Sequence, residues 1–181
     1  MAFAMFQKIA EETGFALAEY MVGICFHHGN GVEQDHRVAC QWYAKGAALG
    51  HAQCAYNLGV SYHSGEGVAR DDARAAHYYT IAADAGDAEA QANLGIMYDC
   101  GQGLAPDATK AVALYRKAAA QGNAKAEGNL GFCLLSGRCG VAIDPAAAIP
   151  LLERAVAQGN ARAMHHLAQY FAAPWASDGY C

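Results

Sequence analysis

The chain has 181 residues, 54% of them hydrophobic, and a formal net charge of −5. That apolar fraction excludes a disordered chain. The few, scattered Lys and Arg exclude the clustered basic surface that nucleic-acid binding needs, and no stretch approaches the length of a membrane span.

Residues Met1 to Glu12 open the chain with helical spacing: Phe3, Phe6, Ile9 and Ala10 share one face. The segment lacks a basic start, and Lys8, Glu11 and Glu12 interrupt it, so it does not read as a signal peptide. A cytoplasmic location is expected; the alternative is an exported chain that has lost its leader. Gly14 lies 36 residues before Gly50, which makes this opening the second helix of an incomplete unit. Its expected role is to cover the apolar flank of the first full repeat.

From there one pattern recurs. Val22-Gly23, Leu58-Gly59, Leu94-Gly95 and Leu130-Gly131 stand 36 apart. The aspartates Asp35, Asp71, Asp107 and Asp144 keep the phase, with one extra residue in copy four. So do Ala39, Ala75, Ala111 and Ala148, and the glycines Gly50, Gly86, Gly122 and Gly159. Several columns on one period imply a stacked array whose core is a strip between neighbouring units.

Within a unit, a first helix (A) is predicted from about Ala52 to His63 in copy two, with Ala52, Ala55, Leu58, Gly59 and Tyr62 on one face. A glycine inside a helix costs about 1 kcal/mol against alanine, so its recurrence implies that a partner helix comes too close for a methyl group. Gly65 and Gly67 end helix A, and Asp71 caps a second helix (B) carrying Ala75, Tyr78, Tyr79, Ala82 and Ala83. In copy four, Pro145 suits a helix start, whereas Pro150 predicts a late start or a kink. Copy five is helix A alone, about Ala161 to Phe171. The tail from Ala173 either folds back as a cap, with Trp175 on the last helix, or is disordered.

The seven cysteines do not recur at one repeat position, and no CxxC pair is present. They read as free thiols, several buried as small apolar residues in a reducing compartment. The Gly-x-Gly loops follow helices, without a Lys-Ser or Lys-Thr, and are turns rather than phosphate cradles. Asn57, Asn93 and Asn129 precede the marker Leu-Gly, where a structural bond to the neighbouring loop is expected.

The run Ala52, Leu58, Gly59, Tyr62, Gly65, Gly67, Val68, Asp71, Ala75, Tyr78, Tyr79, Ala82, Ala83, Gly86 resembles the Sel-1-like repeat family, relatives of the tetratricopeptide repeat. The likeness covers about Gly14 to Phe171. It implies an all-α, right-handed α-solenoid of about four full 36-residue helical hairpins plus partial terminal units, with helix A lining the concave side. The domain is then residues 1–181: a partial helix at 1–14, full repeats at 15–50, 51–86, 87–122 and 123–159, a partial repeat at 160–172 and a tail at 173–181. Family members are typically adaptors, so the resemblance implies a non-enzymatic scaffold for a peptide or partner protein, with no cofactor; the oligomeric state is open.

By analogy with tetratricopeptide grooves, the inward positions of helix A are Leu17, Tyr20, Ile24, His27 and His28 in copy one, and Gln53, Tyr56, Val60, His63 and Ser64 in copy two. Copy three gives Glu89, Ala92, Ile96, Asp99 and Cys100; copy four gives Lys125, Gly128, Phe132, Leu135 and Ser136. Ile24, Val60, Ile96 and Phe132 form an apolar column, either a groove floor for a peptide or simple packing between A helices. Tyr20 and Tyr56 offer rings and hydroxyls as binding anchors.

The alternative is a small-molecule or metal site, with hydrolysis as its furthest extension, at the His27, His63, Asp99 column. Helices about 8–10 Å apart and metal bonds of about 2 Å argue against metal there, although two histidines of adjacent units are long enough to converge. No nucleophile elbow, Ser-x-x-Lys or carboxylate pair supports catalysis.

Overall fold

The computed structural model describes residues 2–172; Trp175 and the proposed capping tail lie outside the described residues. Among these residues there are ten helices and no strand. They are α1 (Ala2–Thr13), α2 (Ala16–His28), α3 (His36–Ala48), α4 (Ala52–Ser64), α5 (Asp72–Asp84), α6 (Ala88–Cys100), α7 (Ala108–Ala120), α8 (Ala124–Ser136), α9 (Pro145–Ala157) and α10 (Ala161–Ala172). The described residues fall into two compact units, 2–90 with 101–105, and 91–100 with 106–172.

The helix boundaries follow from local chemistry. Asp35, Asp71, Asp107 and Asp144 each accept a hydrogen bond from a backbone amide in the first turn of the B helix they precede. At the other end of helix A, Gly65 takes φ 78°, a left-handed conformation, and its amide donates to the Ser61 carbonyl. The A helices have caps of their own: His51, Asp87, Asn123 and Asn160 each accept from the amide three residues on.

In the first unit, consecutive helices from α1 to α5 pack in sequence. A Cβ built on Gly23 would lie 2.5 Å from Cε1 of Tyr43, and one on Gly59 would lie 2.7 Å from Cδ1 of Tyr79. The marker glycine is therefore the socket for a B-helix ring of its own repeat. Tyr43 and Tyr79 are 1% and 2% exposed, and burying such a side chain contributes roughly 2–3 kcal/mol. The preceding tyrosine of the pair is half-buried: Tyr78 stacks on Tyr62 at 5.7 Å, and Arg74 donates to the Tyr62 hydroxyl. As expected, α1 covers the flank of the first repeat. Phe3, Phe6 and Ile9 pack against Ala10, Ala18, Val22 and Trp42, with Phe3 edge-on to Phe26 at 5.4 Å.

In the second unit the socket recurs. A Cβ on Gly95 would lie 2.6 Å from Tyr115, and one on Gly131 would lie 2.6 Å from Leu152. Leu152, Ala155 and Ala163 join α9 to α10. Glu127, 1% exposed, is held by Arg154 Nε at 2.6 Å and Gln158 Nε2 at 3.1 Å.

Three expectations are corrected. Helix α9 begins at Pro145 and runs through Pro150, so of the two alternatives the late start does not occur; Pro150 lacks the amide that would reach the Ala146 carbonyl, and its ring crowds that oxygen. Cys133 and Cys139 are joined in a disulfide across the long loop of copy four, so the cysteines are not all free; Cys25, Cys40 and Cys54 are buried thiols and Cys100 is an exposed one. The marker asparagines do not share one loop contact. Asn57 lines the same cavity as Tyr43, Asn93 accepts from Lys125 Nζ at 2.9 Å, and Asn129 Nδ2 is buried without a partner.

Candidate functional site

The predicted inward positions of α2 and α4 meet in the first unit. Ile24, His27, His28, Tyr56 and Val60 line a cavity of about 170 Å³, together with Tyr43, Asn57 and Ser61. Tyr20 is half-buried and its ring stacks on His51 at 5.2 Å. Gln53 points elsewhere, donating to the Asp87 carboxylate at 2.7 Å. Ser64 turns back to the Ser61 carbonyl.

In the first unit, His27 and His63 of the expected column each engage a residue of their own hairpin. His63 Nδ1 lies 3.1 Å from Asp72 of its own repeat. Asp72 also takes Arg70 Nη2 at 2.9 Å, and that bond holds its carboxyl below the usual range. His27 faces His36, nine residues on, with Nδ1 to Nδ1 at 3.3 Å; the tautomer decides which ring donates. His36 Nε2 in turn lies 3.2 Å from Glu66 Oε1. Among the described residues, His27, His36 and Glu66 are the one trio of His, Cys, Asp or Glu side chains whose ligating atoms all lie within 4.8 Å of one another. Burial keeps the His27 pKa below its ordinary value, and the neighbouring His28 and His36 push the same way.

In the second unit, α6, α8 and α10 line a larger cavity of about 530 Å³. Asp99, Cys100, Asn129 and Phe132 stand on one side and Arg162, His165 and His166 on the other, with Arg138 from the loop. The Phe132 ring stacks on His166 at 4.2 Å. His166 Nδ1 is buried with no hydrogen-bond partner, and burial lowers the pKa of this ring. Leu135 packs against the Leu152 cluster and shares a smaller recess with Phe132 and Tyr170. Lys125 is engaged with Asn93. Ile96 is half-buried and Glu89 is exposed on α6.

The family model of the Sel1 repeat matches residues 16–51, 52–87, 88–123 and 124–160. The chain belongs to the Sel1 repeat family. Two solved structures share its fold and about a third of its sequence. One is a protective antigen of uropathogenic Escherichia coli displaying an SLR fold, at 32% identity and a TM-score of 0.85 over 93% of this chain. The other is a Sel1 repeat protein from Oxalobacter formigenes, at 31% identity and a TM-score of 0.81 over 87% of this chain. This chain spans 36% and 62% of those two proteins. The cysteine-rich protein B of Helicobacter pylori has the same fold at 23% identity and a TM-score of 0.57, over 72% of this chain and 98% of that one. No curated protein matches the chain.

The Sel1 consensus explains the residues that form the hairpin, not those that face the cavities. His36 and Glu66 escape a reading made column by column along the A helices, because they lie at the start of a B helix and in the next repeat's loop. The signal was a second column: position 27 pairs with 36 and 63 with 72, across the Gly-x-Gly turn. Arg138, Arg162, His165 and His166 lie in the extended loop of copy four and the partial repeat, where the repeat pattern is weakest.

Proposed function

We propose that this Sel1 repeat chain is a non-enzymatic scaffold that takes a peptide segment or a partner protein along the helix-A face. The observation that carries the reading is the clustering of sequence-expected positions around cavities in both units. Ile24, His27, His28, Tyr56 and Val60 do so in the first, and Asp99, Cys100 and Phe132 in the second. Both mix apolar floors with rings and polar tips, the composition of peptide-binding clefts. The second cavity carries Arg138 and Arg162 against Asp99 alone, so it suits a segment with a carboxylate, which a guanidinium grips in fork geometry. Of the two compartments considered, the Cys133–Cys139 bridge favours the exported one, since disulfides persist in oxidising surroundings.

Affinity capture from native lysate tests the reading, with wild type beside Tyr56→Ala and Phe132→Glu. A partner recovered with wild type and lost with either variant, at unchanged helicity, supports it. Equal recovery with all three overturns the assignment of the face.

A further inference from the structure

The geometry points to a second kind of site: His27, His36 and Glu66 form a three-ligand centre for a divalent first-row cation of the zinc type. The trio shares His27 with the cavity above but rests on the ligand geometry alone. The three side chains come from separate elements, the end of α2, the first residue of α3 and the loop after α4, and their ligating atoms lie within 4.8 Å of one another.

The backbone around the trio is fixed. Asp35 caps α3 through the amides of Arg37 and Val38, which sets the direction of His36. The loop bearing Glu66 rests directly on that first turn: a Cβ on Gly67 would overlap the carbonyl of His36. Cys40 Sγ donates to the Glu66 carbonyl at 3.5 Å, pinning the loop from the other side. Glu66 is then free to swing only its side chain, which is 44% exposed.

The donor set is that of a catalytic-type zinc centre, two imidazoles and a carboxylate with an open fourth position. Ligand atoms about 2.0–2.2 Å from a tetrahedral ion stand roughly 3.3–3.6 Å apart. The Nδ1 atoms of His27 and His36, 3.3 Å apart, already have that spacing; Glu66 meets His36 at Nε2 instead, at 3.2 Å, so its side chain must swing to reach an ion held between the two Nδ1 atoms. Only one proton fits between two ring nitrogens so placed, so one of them presents a lone pair. Imidazole nitrogen selects zinc, nickel or copper over magnesium and calcium.

The next repeat shows the contrast. At the equivalent positions it has His63 and Asp72, and Arg70 supplies a positive charge to them. In the first repeat the position of Arg70 is Gln34, whose amide is turned to the His27 carbonyl. At that position the first trio therefore has no cation.

The test is Zn²⁺ titration of the chelator-stripped full chain against a chromophoric competitor, with Co²⁺ absorption reporting the ligands. One equivalent is expected, with a cobalt spectrum free of thiolate charge transfer. His36→Ala and Glu66→Gln should each weaken binding by at least roughly 10-fold, while His63→Ala should leave it unchanged. Far-UV circular dichroism verifies that each variant stays helical, and Glu66→Gln alters only a loop side chain. No saturable binding, thiolate bands, or an affinity that Glu66→Gln leaves intact would overturn the three-ligand site.

Discussion

The Cδ1 of Tyr79 lies 2.7 Å from the point that a Cβ on Gly59 would occupy, and the ring is 2% exposed. Alanine at position 59 gains about 1 kcal/mol in helix propensity. Overpacking a filled core costs about 1–3 kcal/mol, and a buried ring anchored on α5 has little room to turn. Gly59→Ala should therefore lose stability on balance and lower the thermal midpoint by a few degrees, roughly 2–4 °C per kcal/mol for a chain of this size. A melt at or above the wild-type midpoint would show that the ring yields.

His51 caps α4 through a ring nitrogen, Nδ1, which accepts from the Cys54 amide at 3.3 Å. Burial holds its pKa below the ordinary value. The unfolded chain therefore takes up the proton first, at about pH 6.5. The folded chain resists, so the stability this ring contributes is present above that pH and is lost as pH falls through the folded pKa. His166, shifted downward chiefly by burial, acts in the same direction. The urea midpoint should fall between pH 7.5 and 5.5. His51→Asp, which installs the residue type that caps α6, should flatten that dependence, and His51→Ala should cost about 1 kcal/mol at pH 7.5. An unchanged slope in His51→Asp would remove the ring from the account.

Glu127 is nearly inaccessible and depends on Arg154 and Gln158 for its hydrogen bonds. Arg154→Ala leaves that carboxylate half-satisfied, at a cost of about 2 kcal/mol. Glu127→Ala combined with Arg154→Ala should cost less than the two single losses added together. Chemical denaturation of all four proteins measures the coupling.

The Cys133–Cys139 bridge closes a short loop. In the chain-entropy account such a loop contributes about 2 kcal/mol. Cys139→Ser, or a reductant, should lower stability by about that much, and the reductant should add nothing to the variant's loss. Mass spectrometry after alkylation checks the pairing, since these two thiols should label only once reduced.

The hairpin was legible because its determinants are local and repeated. The Asp caps, the marker glycine and the ring that fills it recur at 36-residue intervals, and each announces one contact. Less legible was anything set by a contact between columns. The polar residue four before the marker is a case. Glu19, Gln91 and Glu127 stand there, but Ala55 occupies the position in copy two and hides the pattern. Glu127 is paired with Arg154, Gln91 accepts from Gln121, and a Glu19 oxygen is buried without a partner. The disulfide escaped for a similar reason: Cys133 lies in α8, in the column of Cys25, but its partner Cys139 lies six residues on in the longer loop of copy four, where no column predicts it.

Gly67 and Gly103 occupy the joint where one repeat's loop lies on the backbone of the preceding B helix, at His36 and at Asp72. Neither place has room for a side-chain carbon, and both glycines also hold positive φ. Chain growth or loss is therefore tolerated in whole hairpins, which carry their own joint with them. A one-residue slip at either joint would present the wrong residue to the seam, and the extra residue of copy four sits where Gly140 meets no such seam, so length should drift by steps of 36 wherever the joint is closed.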